Sequence, residues 1–433
     1  MYEIIGIVIA FATIIFLITR KQPLWLVMLT ASIIVFISAG NNFSGVIQSV
    51  WGALRDRDTI DLALIVAAIT TMAGLLQEFD FFDHVVDSLR TLLQSDRLTL
   101  LLVPGLVGCM PMVGGAIVSA PMVDGLGENI DLSPSRRSAA NLIFRHSWYF
   151  VFPFNPTYIL TARMANIDIL NLIKLQWPLT LVMLSAGYFF ILNPRFASDA
   201  ASPQNNKTKQ EIAAADESTQ FEDEKSDPNR TTTSVFLEFT KYSSPIVVSL
   251  LLSIGLGLHL AAALIGGIIL TLLLASTQRE DFEWNKVPQL MFEKVDYQIV
   301  GAMASIMVFR ASVNQTTAFN AVMMDLLEAG IPLYLVAGGL SFAVGYISAS
   351  HSSTLALVLP IVLPLLRASG ADILKYVMFI YCFGFLAYLI SPLHLCQILT
   401  NRYFEVDLSQ VYKIYAPVIG LVAVTAVLLL IIY

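Results

Sequence analysis

Charged residues are scarce in this sequence. Only 13% of its 433 residues are Asp, Glu, Lys or Arg, and 56% are hydrophobic, whereas a soluble domain carries about 25% charged residues. So little charge cannot cover a water-soluble protein of this length, and no basic patch indicates nucleic-acid binding. Apolar runs of about 17 residues or more, the length of a membrane-spanning helix, recur along nearly the whole chain instead.

Neither cysteine pairs nor the pattern of a signal peptide are recognisable in the sequence. Cys109, Cys382 and Cys396 stand singly in apolar segments, without CxxC or Cys/His metal-binding spacing, so a disulfide framework is not indicated. The first apolar segment, 4–19, has neither a basic beginning nor a small-residue cleavage site. We therefore interpret it as a transmembrane helix rather than a signal peptide.

The apolar runs and their polar or proline breaks predict about ten spans. These spans are 3–19, 23–40, 59–78, 135–166, 172–193, 235–257, 260–276, 297–313, 372–401 and 411–432. Two further stretches, 98–126 and 333–367, are interrupted by small, proline or polar residues, and we predict that they are re-entrant hairpins. The expected fold is an all-α polytopic membrane protein.

A polar, acidic segment, 196–233, divides the chain into halves 1–195 and 234–433 and is predicted to be a disordered linker. The halves match at one ungapped offset of 239 residues. Two proline pairs and one pentapeptide with four identities share it: Pro121 and Pro360, Pro153 and Pro392, 159–163 and 398–402. Five spans in each half make the two repeats antiparallel, so we predict two inverted repeats.

The basic residues predict the orientation. With the N-terminus outside, 17 of the 25 Lys and Arg residues face the cytoplasm, seven face outward, and Arg145 remains within the membrane. Basic residues crowd the cytoplasmic side of membrane proteins. We therefore expect an inner-membrane protein with both termini periplasmic and the linker cytoplasmic.

Four interruptions lie at corresponding places in the two halves. They are the hairpin tips 112–115 and 348–354 and the helix breaks 152–157 and 390–395. Irregular backbone within a bilayer persists only where protein or a water-filled cavity covers it, and the half-helices that follow direct free N–H groups toward an anion. Asn155 is predicted to cap one such half-helix with Pro156 at its first position, and Ser391 with Pro392 offers the same pairing.

The candidate substrate-binding residues come from these four places and from one buried basic pair. They are Gly114, Gly115, Arg145, His146, Asn155, Thr157, Ser350, His351, Ser352, Ser353, Thr354, Ser391 and His394. Glycines allow close approach to backbone, and the Ser and Thr side chains offer hydroxyls. The alternative is that Pro, Gly and Ser only kink or pack membrane helices, but repetition at related positions favours a binding site.

Arg145 stands deep in the fourth span. An arginine there costs about 2.5–3.5 kcal/mol on insertion scales, so it should face a partner or a cavity. Substrate contact and structural pairing with Asp124 or Asp61 are both open.

The three midplane histidines, His146, His351 and His394, could together bind a divalent metal or relay protons. Alternatively, each is a neutral hydrogen-bonding side chain. No two of them have helical i,i+4 spacing and carboxylates are scarce in the spans, so no metal site is predicted.

The repeated plan of five spans, one hairpin and one proline-broken span resembles the ion transporter superfamily, which includes divalent anion:sodium symporters and gluconate permeases. The segment PGLVGCMPMVGGAIVSAPMV resembles the hallmark of an uncharacterised prokaryotic integral-membrane family within it. The resemblance implies a dimeric elevator-type carrier. The symporters place a Ser-Asn-Thr triplet at each tip, where this sequence has 112–115 and 350–354 instead. Sodium coupling is therefore not implied, and a coupling proton on histidine is open.

We expect a secondary transporter of a small organic anion, a carboxylate in the simplest case, with no cofactor beyond a coupling ion (sodium or a proton). Its expected partners are the anion, the lipid bilayer and a second copy of the chain. A transporter of metal or another cation is the alternative. An intramembrane enzyme using Ser350 or Ser352 with His351 is less favoured, because chain neighbours seldom meet catalytic geometry.

Overall fold

The computed structural model describes residues 2–109, 115–193, 231–279, 282–316 and 330–432, and these residues form helices and connections without a strand. The α-helices are α1 Tyr2–Thr19, α2 Leu24–Ser38, α3 Phe43–Arg55, α4 Arg57–Glu78, α5 Phe81–Leu93, α6 Asp96–Gly108, α7 Gly115–Asn129, α8 Pro134–His146, α9 Pro156–Ala165, α10 Ile169–Phe190, α11 Thr232–Leu250, α12 Leu260–Gln278, α13 Val287–Glu293, α14 Tyr297–Asn314, α15 Leu333–Ser348, α16 His351–Ala368, α17 Ile373–Ile390, α18 Leu395–Tyr403 and α19 Leu408–Ile432. Almost all of the predicted linker and the first hairpin tip, with Gly114, lie outside the described residues.

Eight helical segments in the described part of the chain are long and apolar enough to cross a membrane. They are Tyr2–Thr19, Arg57–Glu78, Ile169–Phe190, Thr232–Gly255, Leu260–Gln278, His351–Ala368, Ile373–Tyr403 and Leu408–Ile432. The outer helices expose large apolar side chains such as Phe16 on α1 and Leu421 on α19, which suit contact with lipid tails rather than water. The predicted all-α polytopic membrane protein is confirmed.

The predicted spans and these eight segments differ for local reasons. The predicted span 23–40 is a 15-residue helix, and the span 135–166 is two short helices, α8 and α9, separated by the break. The span 297–313 is an 18-residue helix that is not among the eight. In the other direction, α16 reaches spanning length although its sequence was assigned to a hairpin.

Three helices were not predicted from the apolar runs: α3, α5 and α13. The first two are amphipathic, with one apolar and one polar face. Their buried residues include Val46 and Ala53 on α3 and Phe81 and Val86 on α5. A search for long apolar runs passes over such amphipathic helices, whose signal is the 3.6-residue period.

Both predicted hairpins contain two helices that pack against each other, α6 on α7 and α15 on α16. Between α15 and α16 the chain reverses at Ala349, whose φ of 47° is left-handed. After the hairpins, α8, α9 and α10 begin 239 residues before α17, α18 and α19, respectively. The helix starts thus keep the offset of the sequence repeat, while the opposite membrane orientation of the halves stays a prediction.

The helices fall into two packing groups. One contains α1–α5 and α11–α14, and the other contains α6–α10 and α15–α19. Besides the consecutive helices α5 and α6, the groups meet mainly where α14 packs on α16 and α4 packs on α9. The interrupted helices and their candidate residues all belong to the second group.

Candidate functional site

The first helix break follows α8, which ends at His146 and continues as a 3-10 turn, Ser147–Phe150. Asn155 occupies the N-cap of α9, and its side chain accepts a hydrogen bond from Thr157 N at 2.9 Å, with Pro156 in the first turn. The predicted cap is therefore confirmed. An Asn cap and a proline without N–H leave few unsatisfied donors at this helix start.

The second break differs from its prediction. Helix α17 ends at Ile390 and α18 begins at Leu395, so Ser391 and Pro392 precede the helix start and do not cap it. Ser391 Oγ instead donates to Tyr346 O at 2.7 Å. His394 takes the N-cap position without a side-chain cap bond. The predicted Ser391–Pro392 cap is wrong because the chain makes a further turn before resuming the helix.

Each break leaves backbone carbonyls without helical partners, and in both a tyrosine from another helix satisfies one. Tyr381 Oη donates to Tyr149 O at 2.7 Å in the first break, and Tyr412 Oη donates to Ile390 O at 2.5 Å in the second. An unpaired carbonyl in an apolar environment costs free energy comparable to a lost hydrogen bond. These tyrosines thus stabilise interruptions that lipid could not.

The second hairpin tip is held by its own hydroxyls. Ser350 is the N-cap of α16 and accepts hydrogen bonds from Ser353 N at 3.3 Å and Ser353 Oγ at 2.8 Å. Thr354 Oγ1 donates to Ser350 O at 2.7 Å. Ser352 points elsewhere: its Oγ lies 2.5 Å from Thr157 Oγ1 in the first turn of α9. The starts of α9 and α16, one from each half of the chain, are therefore in direct contact.

Arg145 is buried, with 4% of its surface exposed. Its charge acts on the side chains of Cys109, Tyr149, Tyr388 and Cys396, the last of which lies in the first turn of α18. Helix α6 passes so close that a Cβ on Gly108 would overlap the Arg145 carbonyl oxygen. The arginine thus lies among α6, α8, α17 and α18.

The two carboxylates considered as partners of Arg145 are bound by other cations. Asp124 pairs with Arg137 in a buried ion pair. Asp61 pairs with Arg163 at 2.5 Å and with His259 at 2.8 Å.

Two of the three candidate histidines come together. The rings of His146 and His394 are 5.1 Å apart, and the Tyr388 ring packs 4.1 Å from His394. The His351 ring lies 6.2 Å from the Tyr388 ring, and its Nε2 donates a hydrogen bond to Tyr381 O at 3.1 Å. The structure thus pairs two of the three predicted histidines, and the Tyr388 ring lies within 6.2 Å of all three rings.

Cys396 joins the histidine pair, and sequence analysis missed it. One ligand atom from each of His146, His394 and Cys396 lies within 4.8 Å of the other two. The spacing His394-Leu395-Cys396 was visible in the sequence, but its partner His146 lies in the other half of the chain. The remaining candidate Gly115 is the first residue of α7, which packs on α18.

The comparisons with known proteins agree with this architecture. The family described as "Protein of unknown function (DUF401)" matches residues 5–204 and 221–433. No protein with curated annotation matches. The solved structure of the Alcanivorax borkumensis YdaH transporter is similar, with a TM-score of 0.53 and 14% identity, over 89% of this chain and 86% of that one. That likeness concerns the fold alone, whereas the family match covers nearly the whole chain. This multi-pass membrane protein therefore belongs to the DUF401 family.

Proposed function

We propose that the protein is a secondary transporter that carries a small organic anion, a carboxylate in the simplest case, across the cytoplasmic membrane. The supporting observation is the place of Arg145, which is buried at the end of α8, the helix that packs on α18. The N-terminus of a helix carries about half a positive charge. An arginine at this packing contact adds positive charge to that helix start, and its planar guanidinium fork suits the two oxygens of a carboxylate.

The helix starts provide the second support, and α18 among them starts without a side-chain cap bond. α9 and α16 meet through Thr157 and Ser352, and α7 packs on α18. Discontinuous helices whose N-termini face a midplane site bind anionic groups in many transporter folds. The fold likeness to a protein described as a transporter points the same way.

The elevator mechanism, the resemblance to the ion transporter superfamily, the periplasmic termini and the homodimer belong to the same proposal. The two packing groups, with limited contact between them, suit a mobile body and a fixed scaffold. The enzyme alternative has less support, because His351 directs Nε2 to Tyr381 O and Ser350 is bound to Ser353. Among the described residues, no serine hydroxyl makes a hydrogen bond to His351.

A thermal-shift screen of the purified protein tests the proposal. Mono-, di- and tricarboxylates, sugar acids, inorganic anions and divalent metals would be added with and without sodium at two pH values. We expect a carboxylate to raise the melting temperature, and the same compound to enter proteoliposomes that contain the protein.

Variants at Arg145 then locate the site. Arg145→Lys keeps the charge but loses the fork, so it should melt near the wild-type temperature and bind the carboxylate more weakly, and Arg145→Ala should nearly abolish binding. Arg279→Lys, at an exposed ion pair, is the matched control and should bind normally. Equal ligand-induced shifts in the wild type and Arg145→Ala would contradict the proposed site.

A further inference from the structure

A second ligand chemistry is present beside Arg145, in the cluster of His146, His394 and Cys396. All three side chains are largely buried, and His146 and His394 are each 1% exposed. Neither ring nitrogen of His394 has a hydrogen-bond partner in the described part of the chain. A buried imidazole with both nitrogens unsatisfied costs free energy, which a bound ligand would offset.

The tautomer of His146 is set by its backbone. Its Nδ1 lies 2.7 Å from Leu142 O, and because a carbonyl only accepts, Nδ1 carries the proton. The lone pair of Nε2 then accepts a hydrogen bond from Tyr388 Oη at 3.3 Å, and an ion bound to this nitrogen would replace that bond. Metal-binding histidines usually have this arrangement, in which one nitrogen donates to a carbonyl and the other binds the ion.

The spacing of the donors is close to that of a three-coordinate site. Bonds of about 2.0 Å to nitrogen and 2.3 Å to sulfur put donors about 3.5 Å apart around a trigonal ion, and the three here lie within 4.8 Å of one another. An inward movement of roughly 1 Å would bring the donors to bonding distance of one ion. One thiolate and two imidazoles are the ligands that soft cations prefer.

Charge decides which soft cation fits. The positive charge of Arg145 acts on the Cys396 side chain, so the charge that a bound cation adds beside it matters. A monovalent ion that replaces the thiol proton leaves the net charge of this buried region unchanged. Zn²⁺ would add one uncompensated positive charge beside Arg145, and burying such a charge is costly. The site therefore favours a monovalent cation.

We propose that His146, His394 and Cys396 bind Cu⁺. The thiol of Cys396 loses its proton to solvent, the sulfur and two imidazole nitrogens bind the ion, and no electron is transferred. Because the ligands come from the end of α8 and the start of α18, the bound ion would join the two halves of the chain at the second break. This inference does not depend on which solute the protein transports.

Anaerobic titration of the detergent-purified protein with Cu⁺, in competition with the coloured chelator bathocuproine disulfonate, tests the site directly. We expect one ion per chain in the wild type. Cys396→Ser and His394→Ala should each weaken binding by about 100-fold or more, since even second-shell changes cost 10–100-fold. Cys382→Ser and Cys109→Ser, which remove thiols outside the cluster, are the matched controls and should bind normally.

A second measurement needs no ligand variant and so does not depend on how such variants fold. In the Cys109→Ser/Cys382→Ser background, Cu⁺ should slow alkylation of Cys396 by N-ethylmaleimide, and Zn²⁺ at the same concentration should protect much less. Unchanged alkylation with Cu⁺, or Cu⁺ binding that survives in Cys396→Ser, would overturn the inference. Neither assay measures transport, so failure of the Cu⁺ site can be distinguished from failure of the proposed anion transport.

Discussion

Thr157 and Ser352 join the two halves of the chain at the starts of two helices, with their hydroxyl oxygens 2.5 Å apart across 195 residues of sequence. Thr157 belongs to the half-helix after the first break, and Ser352 to the second arm of the second hairpin. This bond fixes the α9 start against the α16 start, two of the helix starts that the proposed function uses.

Removing this bond should lower stability by a small, non-additive amount. Thr157→Val and Ser352→Ala should each cost about 0.5–1.5 kcal/mol, the net value of one hydrogen bond. The double variant should cost little more than either single one, because both remove the same contact. Thr425→Val, at an exposed hydroxyl bonded to Leu421 O, is the control and should be near neutral. Melting curves of the four proteins would measure the coupling, and fully additive losses would contradict it.

The fold was largely predictable because a bilayer demands long apolar helices, and such runs are visible in the sequence without any tertiary information. The breaks were visible for the same reason, since Pro153 and Pro392 interrupt runs that would otherwise continue. What the runs could not reveal were α3 and α5, amphipathic helices whose apolar faces are buried against their neighbours. Their pattern is periodic rather than continuous.

The site was predictable only where local rules decide. Asn155 follows a capping rule that needs no distant contact, and it was placed correctly. Ser391 matches the same capping rule in sequence but does not cap a helix, because its hydroxyl donates to Tyr346 O, 45 residues away. The meeting of His146 with Cys396 depends on how α8 packs against α18, and no spacing along one segment encodes that contact.

The buried Arg137–Asp124 pair should be far more important for stability than any surface pair. Both side chains are less than 10% exposed, so Arg137→Gln leaves a buried carboxylate and should cost roughly 3–5 kcal/mol. Arg279→Gln, which breaks an exposed pair with Asp80, should cost less than about 1 kcal/mol. Adding Asp124→Asn to Arg137→Gln should restore part of the loss in a denaturation assay. Equal costs for the two arginines would show that Arg137 is not held by its ion pair.

Two glycines allow a paired test of packing. A Cβ on Gly108 would overlap the Arg145 backbone, whereas a Cβ on Gly125 would meet nothing within 4 Å. Gly108→Ala should therefore lower the free energy of unfolding by about 1–3 kcal/mol through overpacking. Gly125→Ala should raise it by up to about 1 kcal/mol, because alanine favours a helix. Opposite shifts in melting temperature are expected, and a stabilised Gly108→Ala would mean that α6 and α8 are not packed this closely.

The predicted topology can be tested with two introduced cysteines. Ser218→Cys lies in the 196–233 linker, predicted to be cytoplasmic, and Ser369→Cys lies in the exposed connection between α16 and α17, predicted to be periplasmic. A membrane-impermeant maleimide applied to intact cells should label Ser369→Cys and spare Ser218→Cys, with the parent protein as background. Lysed cells should label both. Strong labelling of Ser218→Cys in intact cells would reverse the orientation.

The Arg163–Asp61 ion pair is expected to restrain movement between the two packing groups. Arg163 is on α9 in one group and Asp61 is on α4 in the other, with 2.5 Å between their charged atoms. Lys294 and Glu78, 2.6 Å apart, form a matched pair within a single group. Arg163→Gln should therefore accelerate hydrogen–deuterium exchange in peptides from α4 and α9, because local opening in this variant does not have to break an ion pair. Lys294→Gln should leave exchange in α9 unchanged.

The charge-reversed double variant Arg163→Asp/Asp61→Arg should recover slow exchange if attraction is the cause, because it restores opposite charges at the same two positions. Equal exchange in Arg163→Gln and the wild type would show that the pair lies on a contact that does not open, and the elevator proposal would then need a different boundary between its two bodies.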